Sequence, residues 1–246
     1  MAMKENSMSM QLAEGVPGTA RPNAGAWVVV PAYNESTSIG PVVRGALAHV
    51  DGVVVVDDAS ADDTGEQARL AGAVVLRHPV NLGQGAALQT GISHALAEGA
   101  RYIVMFDADG QHEAAEIDRM LAALRDSKVD VALGSRFKGT TVGMPRLRRV
   151  VLKLAIAFTR LTTGLKLSDS HNGFRAFTAD AARQLRIRQN RMAHASEILE
   201  QIGQRRLTFV EVPVTIRYTD YSKRKGQGNS ESLNILLDLM TQWIRK

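Results

Sequence analysis

The sequence predicts an α/β fold in which a mostly parallel central sheet is flanked by helices. Short, fully apolar runs recur along the chain and alternate with segments of helical periodicity. Alternation at this spacing favours parallel strands joined by right-handed crossovers. Polar groups directly follow three of these runs: Tyr33-Asn34-Glu35, Asp57-Asp58 and Asp107-Ala108-Asp109. Because ligands bind at the carboxyl ends of parallel strands, this edge of the sheet is the predicted site.

Each predicted strand is short and apolar, as expected for strands that are buried on both faces. The strands are predicted at 27–30, 53–56, 73–76, 102–106, 129–133 and 207–216. Helices are predicted at 36–49, 62–70, 83–97, 113–125, 145–163, 178–186 and 195–204. We expect a disordered tail over 1–25, one domain over 26–228 and an amphipathic helix over 229–246.

Composition excludes several classes of protein. The 246 residues suffice for one α/β domain, and the absence of cysteine excludes disulfides and thiol chemistry. The net charge of +5 is compatible with phosphorylated ligands, whereas an aromatic content of 5% without interleaved basic residues argues against nucleic acid. No apolar run approaches the roughly 20 residues of a membrane-spanning helix. The absence of cysteine fits a reducing compartment, and we expect a cytoplasmic protein.

Asp107 and Asp109 are the strongest candidates for chemistry. Two carboxylates one residue apart repel each other unless a cation neutralises them, and hard oxygen ligands suit Mg²⁺ or Mn²⁺. The alternative is that they cap helix 113–125, which explains one aspartate better than two. Asp57 and Asp58 are candidates for contact with a nucleobase or ribose, with turn formation and helix capping as the alternative.

Several ordered motifs together resemble the family-2 inverting glycosyltransferases of the GT-A fold. The match is to the branch similar to dolichyl-phosphate mannosyltransferase and bacterial polyprenyl-phosphate glycosyltransferases, and it covers about 26–225. Its motifs are Pro31-Ala32-Tyr33-Asn34-Glu35, Asp57-Asp58-Ala59-Ser60, Asn81-Leu82-Gly83, Asp107-Ala108-Asp109-Gly110-Gln111-His112, Gly134-Ser135-Arg136-Phe137, Asp169 with Gly173-Phe174-Arg175, and Glu211-Val212-Pro213-Val214.

The resemblance implies a three-layer GT-A domain and a role for each matched position. A UDP- or GDP-sugar would be bound by Pro31, Tyr33, Glu35, Asp57, Asp58, Asn81, Gln84, Asp107 and Ala108. The divalent ion would be held by Asp107, Asp109 and Gln111, and Asp109 counts among the catalytic residues. One departure from the family pattern is Gln84, at a position that is often lysine.

On the acceptor side the resemblance implies a polyprenyl phosphate, which arginine forks would recognise. Arg136 is also expected to be catalytic; the predicted phosphate contacts are Arg136, Arg149 (or Arg146 or Arg148), Arg175, Ser222 and Lys225. If the acceptor were a saccharide hydroxyl, a carboxylate base would be required, and Asp169 is then the candidate, with Glu197 behind it. A nucleotide-sugar-binding subunit without turnover is the third possibility.

Two segments suggest contact with a membrane surface or a partner. Segment 145–163 pairs basic residues with an apolar stripe of Leu147, Val150, Val151, Leu154, Phe158 and Leu161, which suits an interfacial helix or packing on the core. The terminal helix ends in Arg245-Lys246 and has a broad apolar face, which favours a small membrane-protein partner or a homo-oligomer. We expect the protein at the inner face of the cell membrane.

Overall fold

A computed structural model describes residues 23–144, 146–190 and 193–218 of the chain. In these ranges seven strands form one sheet: β1 Ala26–Ala32, β2 Gly52–Asp57, β3 Val74–Arg77, β4 Tyr102–Met105, β5 Val131–Val142, β6 Arg175–Thr178 and β7 Phe209–Arg217. Their order in the sheet is β3-β2-β1-β4-β6-β5-β7. Only β6 runs antiparallel to its neighbours β4 and β5. The predicted mostly parallel sheet is confirmed.

Seven helices connect the strands in the described ranges: α1 Ile39–Leu47, α2 Thr64–Leu70, α3 Gln84–Ala97, α4 Glu116–Ser127, α5 Arg146–Thr163, α6 Ala179–Gln184 and α7 His194–Gln204. Local chemistry sets some of their ends. The Thr178 hydroxyl accepts the N–H of Ala181 and caps α6. Lys128 adopts the left-handed conformation that ends α4.

The hydrophobic core lies on both faces of the sheet, so the domain has three layers. On one face, Val28 and Val30 belong to a cluster that includes α1 and α4. On the other face, Val29 belongs to a cluster with α3 and α7. Because successive side chains of a strand point to opposite faces and both faces are covered, the strand must be apolar throughout.

Two strands differ from the sequence prediction. Strand β6 was not predicted, because its four residues, which run directly into α6, are too few to show a periodicity. Strand β5 extends nine residues past the predicted end at 133, to Val142, and its register with β7 shifts between Ser135 and Thr140. Such a bulge lets the strand bend and continue beyond the apolar run that predicted it.

The structure bears on some segment predictions and not on others. Asn23, at the end of the predicted tail, already belongs to the fold, since its side chain donates to the carbonyl of His49 and to Asp118. Residues 1–22 and the predicted helix 229–246, with its proposed partner contact, lie outside the described residues. Within the described ranges, no helix combines the length and apolar character needed to cross a membrane.

Candidate active site

Two loops at the carboxyl ends of β1 and β2 are hydrogen-bonded to each other. Asn34 donates its N–H to the Ser60 hydroxyl at 2.9 Å and accepts the N–H of Ala61 on its side-chain oxygen at 2.8 Å. Asn34 and Ala59 both have positive φ, at 53° and 62°. Non-glycine residues in this conformation are uncommon and recur in binding sites, where the surrounding structure holds them.

Asp57 and Asp58, predicted to contact the nucleotide, are both buried and organise the protein around the site. Asp57 pairs with Arg77 at 2.5 Å and accepts the N–H of Ser60 at 2.9 Å. Asp58 accepts the N–H groups of Leu82 and Gly83 and faces the His78 ring at 2.7 Å. Asp58 therefore fixes the start of the α3 segment against the end of β2, and Asp57 joins the end of β2 to β3 and to the loop at Ser60.

The predicted residues of the first loop differ in their exposure. Pro31 is buried in β1, and Glu35 is buried, with its carboxylate accepting the Ser38 hydroxyl at 2.8 Å. Tyr33 is 46% exposed and presents its ring at the rim of the site. A half-exposed aromatic beside buried carboxylates suits stacking against a planar ligand such as a nucleobase.

The loop before α3 is pressed against the backbone of a distant segment. A side chain on Gly83 would collide with the carbonyl oxygen of Asn190, and one on Gly85 would collide with that of Gln189. Gly85 instead donates its N–H to Asn190 at 3.0 Å. Asn81 is exposed, and the amide of Gln84 donates to Asp107 Oδ1 at 3.2 Å. Gln84 thus reaches the acidic centre from α3.

Asp107 and Asp109 follow β4 and sit between the loops described above. Burial raises the pKa of Asp107, but the hydrogen bond and charge of His112 and the charges of His194 and Arg175 hold it below its usual value. Burial and the neighbouring Asp107 charge raise the pKa of Asp109 to about 6. Ala108 between them is buried, and Gln111 donates its N–H to Asp109 at 3.0 Å.

Asp107 is supported by His112 of the same loop and by Gly173 from a distant segment. His112 Nε2 lies 3.2 Å from Asp107 Oδ2. Gly173 lies so close that a Cβ on it would be 2.8 Å from Asp107 Oδ1 and 2.9 Å from Cγ. Because β6 is antiparallel, the residues before it lie at the carboxyl ends of the parallel strands. The Gly173 motif therefore forms a wall of the acidic centre.

The donor set around Asp107 fits a hard divalent cation. Among the described residues, no group of three or more His, Cys, Asp or Glu side chains is arranged to hold a metal ion. Mg²⁺ and Mn²⁺ do not require such a group, since one or two carboxylates plus substrate phosphates suffice. Asp107, Asp109 and the amide of Gln111 supply oxygen donors of this kind, and the raised pKa of Asp109 marks a pair that a cation would neutralise.

Arg136 and Asp169, both predicted to be catalytic, form a buried ion pair. Arg136 Nε lies 2.6 Å from Asp169 Oδ2, and neither side chain is more than 5% exposed. The remaining nitrogens of Arg136 donate to the Tyr218 hydroxyl at 3.0 Å and to the His171 carbonyl at 2.5 Å. The charge of Asp169 is neutralised by an arginine, which makes it a poor general base. This geometry also turns the Arg136 guanidinium towards the protein.

The other predicted acceptor contacts are scattered. Arg175 is buried and donates to the backbone carbonyls of Asn172, Ala195 and Ser170; burial lowers its pKa to about 10. Arg149 is exposed on α5. Ser222 and Lys225 lie outside the described residues. Glu197 accepts the N–H groups of Arg188 and Gln189, so its carboxylate holds the loop that covers Gly83 and Gly85.

Sequence reasoning missed three residues that shape the site. His112 supports Asp107, and Tyr218 supports Arg136 from the end of β7. Glu211 on β7 accepts the N–H and hydroxyl of Ser168 and pairs with Lys138 at 3.0 Å. The only signal for Glu211 was its place in the Glu-Val-Pro-Val motif. His112 also stood in one of the motifs, five residues after Asp107, but no role was assigned to it. For Tyr218 nothing local in the sequence indicates the contact, because Arg136 lies 82 residues away.

The model of Glycosyl transferase family 2 matches residues 27–186, about two thirds of the chain. The chain belongs to this family. It is therefore a glycosyltransferase, as the motifs predicted. Strands β2 to β6, nearly all of β1, the acidic centre and the Gly173 wall lie within the matched residues, whereas β7 lies beyond them.

Relatives of similar length act on polyprenyl phosphates according to their names. The chain is 32% identical to UDP-N-acetylglucosamine–dolichyl-phosphate N-acetylglucosaminyltransferase of Methanococcus voltae, over 81% of this chain and 88% of the relative. It is 30% identical to polyprenol monophosphomannose synthase of Mycolicibacterium smegmatis, over 88% and 87%. An uncharacterized protein of Methanocaldococcus jannaschii is 35% identical, over 89% and 92%.

Solved structures share the fold at low sequence identity. Glucosyl-3-phosphoglycerate synthase from Mycobacterium tuberculosis in complex with phosphoglyceric acid superposes with a TM-score of 0.70 at 20% identity, covering 88% of this chain and 79% of that one. The same enzyme with Mn²⁺ and UDP-glucose gives a TM-score of 0.68 at 20% identity, covering 88% and 78%. The GT-A fold is confirmed.

Proposed function

We propose that this glycosyltransferase is metal-dependent and transfers a sugar from a UDP- or GDP-sugar to a polyprenyl phosphate, with inversion at the anomeric carbon. The observation that carries the proposal is the carboxylate pair Asp107 and Asp109 at the point where the loops after β1, β2 and β4 meet. Relatives named for transfer to dolichyl, polyprenol and undecaprenyl phosphate supply the acceptor class.

The donor is proposed to lie across the carboxyl ends of β1 and β2. Tyr33, at the rim, would stack on the base, and Asn81, which is exposed before α3, would contact the nucleotide. Asp57 and Asp58 act by fixing the loops on either side, since both carboxylates already accept hydrogen bonds from the protein. The diphosphate would then reach Asp107 and Asp109.

Asp107, Asp109 and Gln111 are the residues proposed to hold a Mg²⁺ or Mn²⁺ ion. When bound, such an ion stabilises the negative charge of the departing nucleoside diphosphate. Gln84 and His112 contact one oxygen each of the Asp107 carboxylate. Gln84 carries no charge, so the position that is often lysine contributes a hydrogen bond to Asp107 in this chain.

The buried pairing of Asp169 favours a phosphate acceptor over a saccharide hydroxyl. A hydroxyl acceptor needs a base, and the candidate for that role is paired with Arg136 at 2.6 Å. A phosphate acceptor is already an anion and needs to be positioned by cations. Arg149 is exposed and suited to this, with Ser222 and Lys225 as further proposed contacts; Arg136 and Arg175 would contribute positive potential from within the protein.

Helix α5 is proposed to contact the membrane surface that presents the acceptor. Leu154 is 57% exposed and Leu161 is 85% exposed; with Val150 they lie on one outward face of the helix. Val151 and Phe158 of the predicted stripe pack inwards, and the side chain of Leu147 lies outside the described part of the chain. Arg149 and Lys153 are exposed beside the outward face, an arrangement that suits an interfacial helix on anionic lipid at the inner face of the membrane.

A labelled-donor assay tests the proposal. Purified protein is incubated with Mn²⁺ and UDP- or GDP-sugars, and with either polyprenyl phosphate in vesicles or saccharide acceptors; product configuration is read by NMR. We expect label in the lipid fraction, lost in Asp109→Asn and retained in Asp63→Asn, an exposed acid in the α2 loop. Label only in saccharides would overturn the acceptor, and turnover without divalent ions would overturn the metal role.

A further inference from the structure

His112 occupies a closed aromatic site directly beside Asp107. Its ring centroid lies 5.6 Å from that of Phe106 and 5.2 Å from that of Phe174, and those two phenyl rings are themselves in an edge-to-face contact at 5.1 Å. The His112 side chain is 3% exposed. Packing therefore leaves the imidazole little freedom to change its orientation.

Only one of the two nitrogen atoms of the His112 ring has a hydrogen-bonding partner among the described residues. Nε2 lies 3.2 Å from Asp107 Oδ2, whereas Nδ1 is buried and has no partner among the residues that the structure describes. An ionised carboxylate can only accept hydrogen bonds. The ring must therefore carry a proton on Nε2, and it donates that proton to Asp107.

The Asp107 carboxylate is thereby held on both oxygens. Gln84 donates to Oδ1 at 3.2 Å, His112 faces Oδ2, and Gly173 closes the approach from β6. Of these supports, only His112 is itself locked by two aromatic rings. If the residue at this position served packing alone, a ring without nitrogen atoms would suffice. Burying an imidazole whose Nδ1 has no partner in the described residues is unfavourable, so the ring nitrogens must serve another purpose.

We infer that His112 is a positioning residue: its Nε2–H orients the Asp107 carboxylate for the divalent ion. The inference depends on the metal role assigned above under the proposed function. Groups that orient metal ligands typically change metal affinity or activity by about 10- to 100-fold when they are removed.

The test compares three variants for Mn²⁺ affinity in the presence of UDP, measured by calorimetry, and for thermal unfolding. His112→Phe keeps an aromatic ring and removes the donor; we expect affinity to fall by about 10- to 100-fold with an unfolding midpoint close to that of the wild type. His112→Gln restores an N–H donor and should recover part of the affinity. The matched control is His94→Phe. His94 lies on α3 and packs against Trp27 of β1, and its Nε2 is also buried without a partner in the described part of the chain.

A measurement on the metal-free protein separates the inference from the proposed function. Nitrogen-15 NMR of the histidines should show His112 as the Nε2–H tautomer, and Asp107→Asn should perturb that signal. An Nδ1–H tautomer, or wild-type Mn²⁺ affinity in His112→Phe, would overturn the positioning role. If His112→Phe does not fold, the tautomer and His112→Gln still decide. A wild type that shows the Nε2–H tautomer but binds no Mn²⁺ with UDP refutes the metal role instead.

Discussion

Replacing Gly173 by alanine should damage the acidic centre without unfolding the domain. The atom nearest to the added Cβ would be Asp107 Oδ2, followed by Oδ1 at 2.8 Å and Cγ at 2.9 Å. Ordinary contact begins at 3.4 Å, so the carboxylate or the loop must move by about 0.6 Å to clear Oδ1 and by about 1 Å to clear Oδ2. Asp107 accepts hydrogen bonds from Gln84 and His112, so a displacement of its carboxylate would disturb both of these contacts.

Functional side chains must be held to within about 0.5 Å of their productive position. A displacement of about 1 Å can reduce the reaction rate by about 10²-fold. We therefore expect kcat/KM to fall by about 10- to 100-fold, equivalent to about 1.4 to 2.7 kcal/mol. The assay is sugar transfer to polyprenyl phosphate, with thermal unfolding in parallel.

Gly40→Ala is the matched control for this substitution. Gly40 lies in α1, and its added Cβ would meet only the end of the Arg44 side chain at 3.4 Å. Alanine there should leave activity unchanged and stabilise the helix by about 0.5 to 1 kcal/mol. Full activity in Gly173→Ala would refute the reasoning, because it would mean that Asp107 can move without consequence.

Three further predictions follow from other parts of the domain. Asp169→Asn leaves the Arg136 cation buried without its partner and should lower the free energy of unfolding, measured with denaturant, by about 3 to 5 kcal/mol. Asp180→Asn, in an exposed pair, should change the free energy of unfolding by less than about 1 kcal/mol. Equal effects of the two variants would contradict the assignment of a buried ion pair. The double variant Leu154→Ser, Leu161→Ser should weaken sedimentation with anionic vesicles, and Leu70→Ser, equally exposed, should not; unchanged binding would exclude α5 as the contact. Burial lowers the pKa of His171 from 6.5 to about 4, so protonation of this side chain is disfavoured in the folded protein. The neutral ring therefore contributes to the free energy of unfolding in full above pH 6.5, and this contribution is lost as the pH falls towards 4. Unfolding measured against pH should show this loss in the wild type and not in His171→Gln.

The sequence was sufficient to predict the layers and most of the sheet. Strands such as 53–56 are apolar on both faces, and only helices on both sides of a parallel sheet explain that pattern. Strand β6 escaped prediction because its evidence is tertiary: Arg175 opens the strand, and a buried arginine bound to backbone carbonyls looks like a loop residue in the sequence.

The position of the candidate site in the fold could be predicted from the sequence, but the contacts made by each of its side chains could not. The carboxyl ends of the strands correctly located Asp57, Asp58, Asp107 and Asp109. The local sequence does not reveal that the carboxylate oxygens of Asp58 accept hydrogen bonds from the N–H groups of Leu82 and Gly83. Such pairings depend on segments brought together by crossovers, about 25 residues apart in this case, and no spacing rule specifies them.

The reversed direction of β6 has a consequence for the modularity of the chain. A fragment that stopped before residue 170 would contain every residue predicted to bind the donor, yet the carboxylate of Asp107 would lose the backbone that closes one side of it. Exchanging the part of the chain after residue 170 between related enzymes should therefore also disturb the site proposed for the donor. A chimera should retain its own Asn172-Gly173-Phe174-Arg175 segment together with its own Asp107.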